Sequence, residues 1–194
     1  MSEWDMTMKT RAVKIGSLKK LIPGYDYSAE ETAHRTDETF CSLMVENLKL
    51  SKKTMFNILE TAFELHRELL LKDFEGLRDE IGVFSDEIRA RAFKWDSEKS
   101  QKWLERMVDY DYRILTMLGN LIKGIQGLHK ELLSSGKGVR ELRTLDEHTG
   151  SLKENLDEIV ILFKERDAVC NIREASLEKS FDSMRSRIRK GFGP

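Results

Sequence analysis

The chain has 194 residues, 33 Lys/Arg against 34 Asp/Glu, and a formal net charge of -1, with 35% of its residues charged. That length suits one ordinary domain or one extended bundle, and no apolar run approaches the ~20 residues needed to cross a bilayer. Only Pro23 and Pro194 break helices, and Leu, Glu, Lys, Arg and Met are abundant, so composition predicts an all-α fold rather than a sheet.

Residues 1–27 show no helical period. They read as a basic N-terminal segment, flexible in part, that ends in Ile22-Pro23-Gly24-Tyr25-Asp26-Tyr27, where Pro and Gly mark a turn flanked by two tyrosines. Ser28-Ala-Glu-Glu31 then has the spacing of a capping box and predicts a helix start. A helical bundle is expected over 28–190. Its first helix, about 28–81, carries a seam of Cys41, Met44, Leu48, Ser51, Met55, Ile58, Ala62, Leu65 and Leu69 in steps of three and four. The stripe changes phase near 69–74 and resumes as Leu70, Phe74, Leu77, Ile81, Phe84, Ile88 and Trp95. Such a shift predicts a kink, a hinge or a change of partner helix. Gly82 and Ser85-Asp86-Glu87 predict a break and a short helix over about 85–95.

Asp96-Ser97 opens the next predicted helix, 97–134. One row is Leu104, Asp111, Leu118, Ile125 and Leu132, and the other is Met107, Ile114, Leu121 and Leu128. Gly119, Gly124 and Gly127 lie inside it, which fits either a close backbone approach or local flexibility. Ser134-Ser135-Gly136-Lys137-Gly138 reads as a loop, and 139–150 as at most a turn of helix before Gly150. A last helix, 151–190, repeats Leu156, Phe163, Cys170, Leu177 and Met184, and 191–194 form a tail. The expected architecture is an elongated antiparallel bundle of about three long amphipathic helices plus one short helix, packed as in coiled coils.

The turn Leu18-Lys-Lys-Leu-Ile-Pro-Gly-Tyr-Asp-Tyr27, with the helix residues through Arg35 and Asp37, and the stretch Asp96-Ser-Glu-Lys-Ser-Gln-Lys-Trp-Leu104 leading into Asp109-Tyr-Asp-Tyr-Arg-Ile-Leu115 resemble an uncharacterised bacterial and archaeal helical family. In it an I-P-G-Y-x-x-Y-type turn opens the first long helix. The likeness covers about 18–40 and 96–118 and departs elsewhere. The family's second aromatic often follows a Gly, whereas Asp26 precedes Tyr27 here. The resemblance implies a helical fold and no activity.

Asp111 occupies a core position on the heptad count, and a buried carboxylate needs a partner. Arg35 is the expected one, forming a polar pair that fixes helix register; the alternative is that Asp111 sits at the edge of the seam and reaches water. Glu31, His34 and Glu38 share a helical face in the E-x-x-H spacing of di-iron bundles, but no second such motif exists, so they are weak metal candidates and no cofactor is expected. Charge is segregated. Residues 1–22 carry a net +3 and 179–194 a net +4, so 23–178 carry -8. Leu177, Phe181, Met184 and Ile188, flanked by Arg185, Arg187, Arg189 and Lys190, form an amphipathic end that could meet an anionic membrane or a partner, or simply finish a bundle helix.

No phosphate loop and no nucleophile–base spacing is recognisable, so an enzyme is not expected. The leading expectation is a non-enzymatic coiled-coil scaffold or adaptor that homo-oligomerises and binds a partner protein. Second comes a peripheral membrane protein using its basic ends, and third a metal-binding bundle. Nucleic acid is disfavoured by the acidic body, and no small-molecule substrate is evident. Two separated cysteines and the lack of a signal segment predict a cytoplasmic setting, at most peripheral to the inner membrane face.

Overall fold

The computed structural model describes residues 3–93, 101–134 and 139–171. These form five helices and no strand: α1 (Glu3–Leu21), α2 (Glu30–Glu64), α3 (Glu68–Ala90), α4 (Gln101–Ser134) and α5 (Val139–Asn171). The all-α class holds, and no helix of the described residues is long and apolar enough to cross a membrane. The helix count differs from the expected three long and one short.

The N-terminal segment is helical rather than irregular. α1 lacks an apolar stripe because its docking is mixed. Leu18 and the following Ile22 are buried, while Arg11 and Lys14 pair with Glu105 (3.0 Å) and Asp109 (2.7 Å) of α4. Charge pairing of this kind leaves no period for a hydrophobic pattern to reveal. α1 then stops at a type II β-turn. Pro23 occupies its second position, Gly24 its third with φ 76°, and the Tyr25 N–H donates to the Ile22 carbonyl at 3.1 Å. The capping box is not formed. α2 starts at Glu30, and the Ser28 hydroxyl and N–H both donate to the Asp26 carboxylate, each at 2.8 Å.

The phase change of the long stripe is a chain reversal. α2 ends in a Schellman motif, with the Arg67 N–H donating to Ala62 O (2.8 Å), the His66 N–H to Phe63 O (3.0 Å), and His66 left-handed at φ 56°. The two stripes are therefore the inner faces of two helices. Met44 through Ala62 are buried on α2, and Leu70, Phe74, Leu77, Ile81, Phe84 and Ile88 on α3. Leu69, counted into the first stripe, is 81% exposed because the helix that would have buried it has already ended. Gly82 and Ser85 do not break α3; both are buried within it. Trp95 lies outside the described residues.

α5 starts at Val139 and passes through Gly150 without interruption, so 139–150 are helical. Beyond Asn171 the predicted helix lies outside the described residues. Of the three α4 glycines, Gly124 has a packing reason. A Cβ there would stand 2.4 Å from Leu152 Cδ2 of α5, so its hydrogen lets the two helices close up.

The chain divides into two compact units, one of Met1–Cys41, Ala92–Leu115 and Val160–Pro194, the other of Ser42–Arg91 and Thr116–Ile159. In the second unit α2 and α3 run antiparallel, as Lys52 of α2 lying against Gly82 of α3 shows. α4 and α5 are also antiparallel there, as the pairs Gly124–Leu152 and Glu131–His148 show. Met55, Ile58, Phe74, Leu77, Ile81, Leu121, Ile125, Leu128 and Leu156 fill its core. Ser51, the polar member of the α2 seam, is buried with its hydroxyl donated to Asn47 O at 2.9 Å.

A β-carbon in the left-handed region costs about 1 kcal/mol. His66→Gly is therefore expected to raise stability by roughly 0.5–1 kcal/mol, read as a higher urea midpoint, whereas His66→Val should lower it.

Candidate functional site

The first unit is built around one buried arginine. Arg166, on α5, has no exposed surface, and each of its three nitrogens is engaged. Nε donates to Asp111 Oδ1 of α4, Nη1 to Asp37 Oδ1 of α2 at 2.7 Å, and Nη2 to the Tyr27 hydroxyl at 2.6 Å. The Tyr27 hydroxyl in turn donates to Asp111 Oδ2 at 3.1 Å, and Tyr25 donates to the same oxygen at 2.8 Å. The guanidinium carbon also lies 4.2 Å from the centre of the Phe40 ring, so the cation gains a π-face as well as two carboxylates.

Each member is delivered by its element. Asp37 lies one heptad before Met44 on the inner stripe of α2, and Asp111 sits between Leu104 and Leu118 on α4. The two tyrosines come from the Pro-Gly turn, whose shape is held by Thr36. The buried Thr36 hydroxyl donates to Asp26 O (2.9 Å) and accepts the Asp26 N–H (3.0 Å). Aromatic edges complete the wall, with Tyr25–Tyr27 at 5.4 Å and Tyr27–Trp103 at 5.8 Å, both T-shaped. The Trp103 indole donates to Val169 O at 2.9 Å, tying α4 to α5 beside the charges.

Burial governs the protonation of this cluster. It pushes Tyr25 far above the usual tyrosine range, helped by the negative charge of Asp111, and it raises Tyr27 against the pull of Arg166. It also lifts the Asp111 carboxyl, opposed by the Arg166 charge and by the hydrogen bonds from Arg166 and both tyrosines. For Arg166, desolvation would favour the neutral form, but Asp111, Tyr27 and Asp37 outweigh it and hold the guanidinium charged. Every nitrogen of Arg166 and both oxygens of Asp111 are already bonded. What this arrangement does chemically is tie the turn, α2, α4 and α5 of this unit together.

Asp111 is thus buried and paired, but its cation is Arg166 and not Arg35. The Arg35 side chain is exposed and lies over Gly24, 3.8 Å from where a Cβ would stand. Arg166 escapes a reading that tracks apolar residues. It completes the row Leu156, Ile159, Phe163, Arg166, Cys170 in steps of three and four, and that spacing is the signal that could have found it. Asp37 is marked by the same arithmetic on α2.

Glu31, His34 and Glu38 are all exposed, and the His34 ring stands edge-on to Phe93 at 5.0 Å. Among the described residues no group of three or more His, Cys, Asp or Glu is placed to hold a metal ion. Neither Cys41 nor Cys170 forms a disulfide. The candidate surface of Leu177, Phe181, Met184, Arg185, Arg187, Ile188, Arg189 and Lys190 lies outside the described residues. A groove of about 670 Å³ borders the turn, lined by Arg11, Ile15, Lys19, Asp26, Leu104 and Val108 among others. Glu105 pairs with Arg11, and Lys19 and Asp26 bring one charge of each sign to the lining, so its charges single out no ligand class. Compared with protein-family models, curated proteins and solved structures, the chain matches none.

Two outcomes follow. Arg166→Met strands Asp37 and Asp111 without their cation and should cost about 3–5 kcal/mol in chemical denaturation. Asp111→Leu, which orphans Nε and the two hydroxyls, should also destabilise, and a gain in stability would remove the case for a holding role. The second outcome is alkaline. An unfolded tyrosine ionises near pH 10 while Tyr25 and Tyr27 stay protonated when folded, so above about pH 10 the unfolded state binds fewer protons. Their contribution is full below about pH 10 and is lost as pH rises, by about 1.4 kcal/mol per pH unit for each. Denaturation midpoints across this range should fall less steeply in Tyr25→Phe.

Proposed function

We propose that the protein is a non-enzymatic helical scaffold that acts by self-association and by binding a partner protein through coiled-coil-like helix contacts. The observation that carries this reading is on α2 in the second unit. Phe56 and Phe63 are 51% and 68% exposed, two turns apart on one face, with the half-buried Leu59 between them. Fully burying a phenylalanine stabilises by about 1.5–3 kcal/mol, so two left in water at helical spacing form a face suited to another helix.

The Arg166 network supports a holding role, because a cluster with its polar atoms mutually engaged favours rigidity over reaction. The Ile22–Tyr27 turn fits the same reading, and we take it to be the hallmark of the helical family it resembles, with its tyrosines closing on a buried Asp–Arg pair. The membrane alternative has less behind it in α1, where Arg11 and Lys14 spend their charge on Glu105 and Asp109.

Light scattering behind a sizing column tests the proposal. Across a concentration series reaching about 100 μM and above, the wild type is expected to rise to a multiple of its 22.6 kDa chain mass. Phe56→Ser with Phe63→Ser should return it to a single chain without loss of helicity. A wild type at single-chain mass throughout would overturn the self-association half of the reading.

A further inference from the structure

The outer face of α2 is sorted by charge as well as apolar. Lys49, Lys53, Phe56, Glu60 and Phe63 follow one another in steps of three and four, with Glu64 beside Phe63, and all are exposed. Between residues 49 and 64 the cations lie before Phe56 and the acids after it; Glu46 lies one turn before that stretch. None of Lys49, Lys53, Glu60 and Glu64 has an ion-pair partner among the described residues. A helix face with two lysines at one end, two glutamates at the other and phenylalanines between is complementary to itself when one copy is reversed.

We infer that the occupant of this face is a second copy of the chain, packed antiparallel along α2 about a two-fold axis level with residues 56 and 57. This rests on the self-association reading above and adds the partner, the surface and the direction. The register follows from the spacing. Residues 53 and 60 are equally distant from the axis, as are 49 and 64, so one alignment sets Lys53 opposite the second copy's Glu60 and Lys49 opposite its Glu64. Two-fold symmetry repeats both pairs, giving four. Phe56 of each copy meets the other near the axis, and the phenylalanines form the apolar part of the contact. Parallel packing in register would set lysine against lysine and glutamate against glutamate, which costs energy. The matched stretch spans roughly 22 Å at about 1.5 Å per residue. A contact that short, rimmed by exposed ion pairs, gives weak association that salt loosens further.

The test uses the full chain in four forms, the wild type and three variants, and one mixture, followed by sedimentation equilibrium at low and high salt, with circular dichroism to verify folding. All four charged positions are exposed, so the substitutions leave the core intact. Lys49→Glu with Lys53→Glu makes the face wholly acidic and should weaken self-association by roughly tenfold or more. Glu60→Lys with Glu64→Lys makes it wholly basic and should do the same. An equimolar mixture of those two proteins should form a heterodimer, and the quadruple variant, in which both ends are reversed, should self-associate like the wild type. A wild type that self-associates while the two double variants do so equally well, or a mixture that stays apart, overturns the antiparallel α2 interface and leaves self-association standing. A wild type that never self-associates overturns both.

Discussion

A guanidinium without exposed surface must recover inside the protein what it loses in hydration, and that requirement organises the first unit. Arg166 could not be placed in a helix core by apolar packing, since removing an ion from water costs several kcal/mol even after relaxation. Asp111 and Asp37 supply the opposing charge, and the phenols of Tyr25 and Tyr27 use the oxygen positions that one guanidinium cannot reach. The result depends on three helices and one turn being in register together. A displacement of any of them leaves a buried charge or a buried hydroxyl without its partner.

The turn shows how far this constraint extends. Pro23 and Gly24 give it the backbone of a type II turn, Asp26 bonds back to Ser28, and Thr36 grips the Asp26 peptide from α2. Ser28 is thereby diverted from capping the helix it precedes, and α2 begins a residue later than its local motif suggests. A local capping preference worth about 1 kcal/mol gives way to a tertiary network with more at stake. Such a site is suited to holding elements in place. That is why function is sought on the outer surface of α2 in the second unit, where phenylalanines remain in water and charges are sorted by sign.

Much of the pattern was legible from residues alone. Most of each seam of α2, α3 and α4 is legible because burial along a helix repeats every three to four residues: Met44 to Ala62, Leu70 to Ile88 and Met107 to Leu132 are inside, while Leu69, at the end of the α2 stripe, is exposed. The break between α2 and α3 left a trace as the shift of phase near Leu69, although the trace could not distinguish a kink from a reversal. That was decided by His66 adopting a left-handed conformation, which no glycine announced. α1 left no trace, since it is held by Leu18, Ile22 and two ion pairs to α4.

The sequence by itself determined the helical class, most of the inward faces and the turn at Pro23-Gly24, because each follows from periodicity or from a backbone preference; it left Asp111 either paired in the core or at the edge of the seam. Only the tertiary structure decided which cation answers Asp111. Arg35 and Arg166 were both compatible with its chemistry, but pairing across helices depends on how separate stripes are rotated against one another, and no spacing within a single helix encodes that. The same holds for Tyr25 and Tyr27, which reach Asp111 across more than eighty residues of chain because the turn, α2 and α4 close on one point.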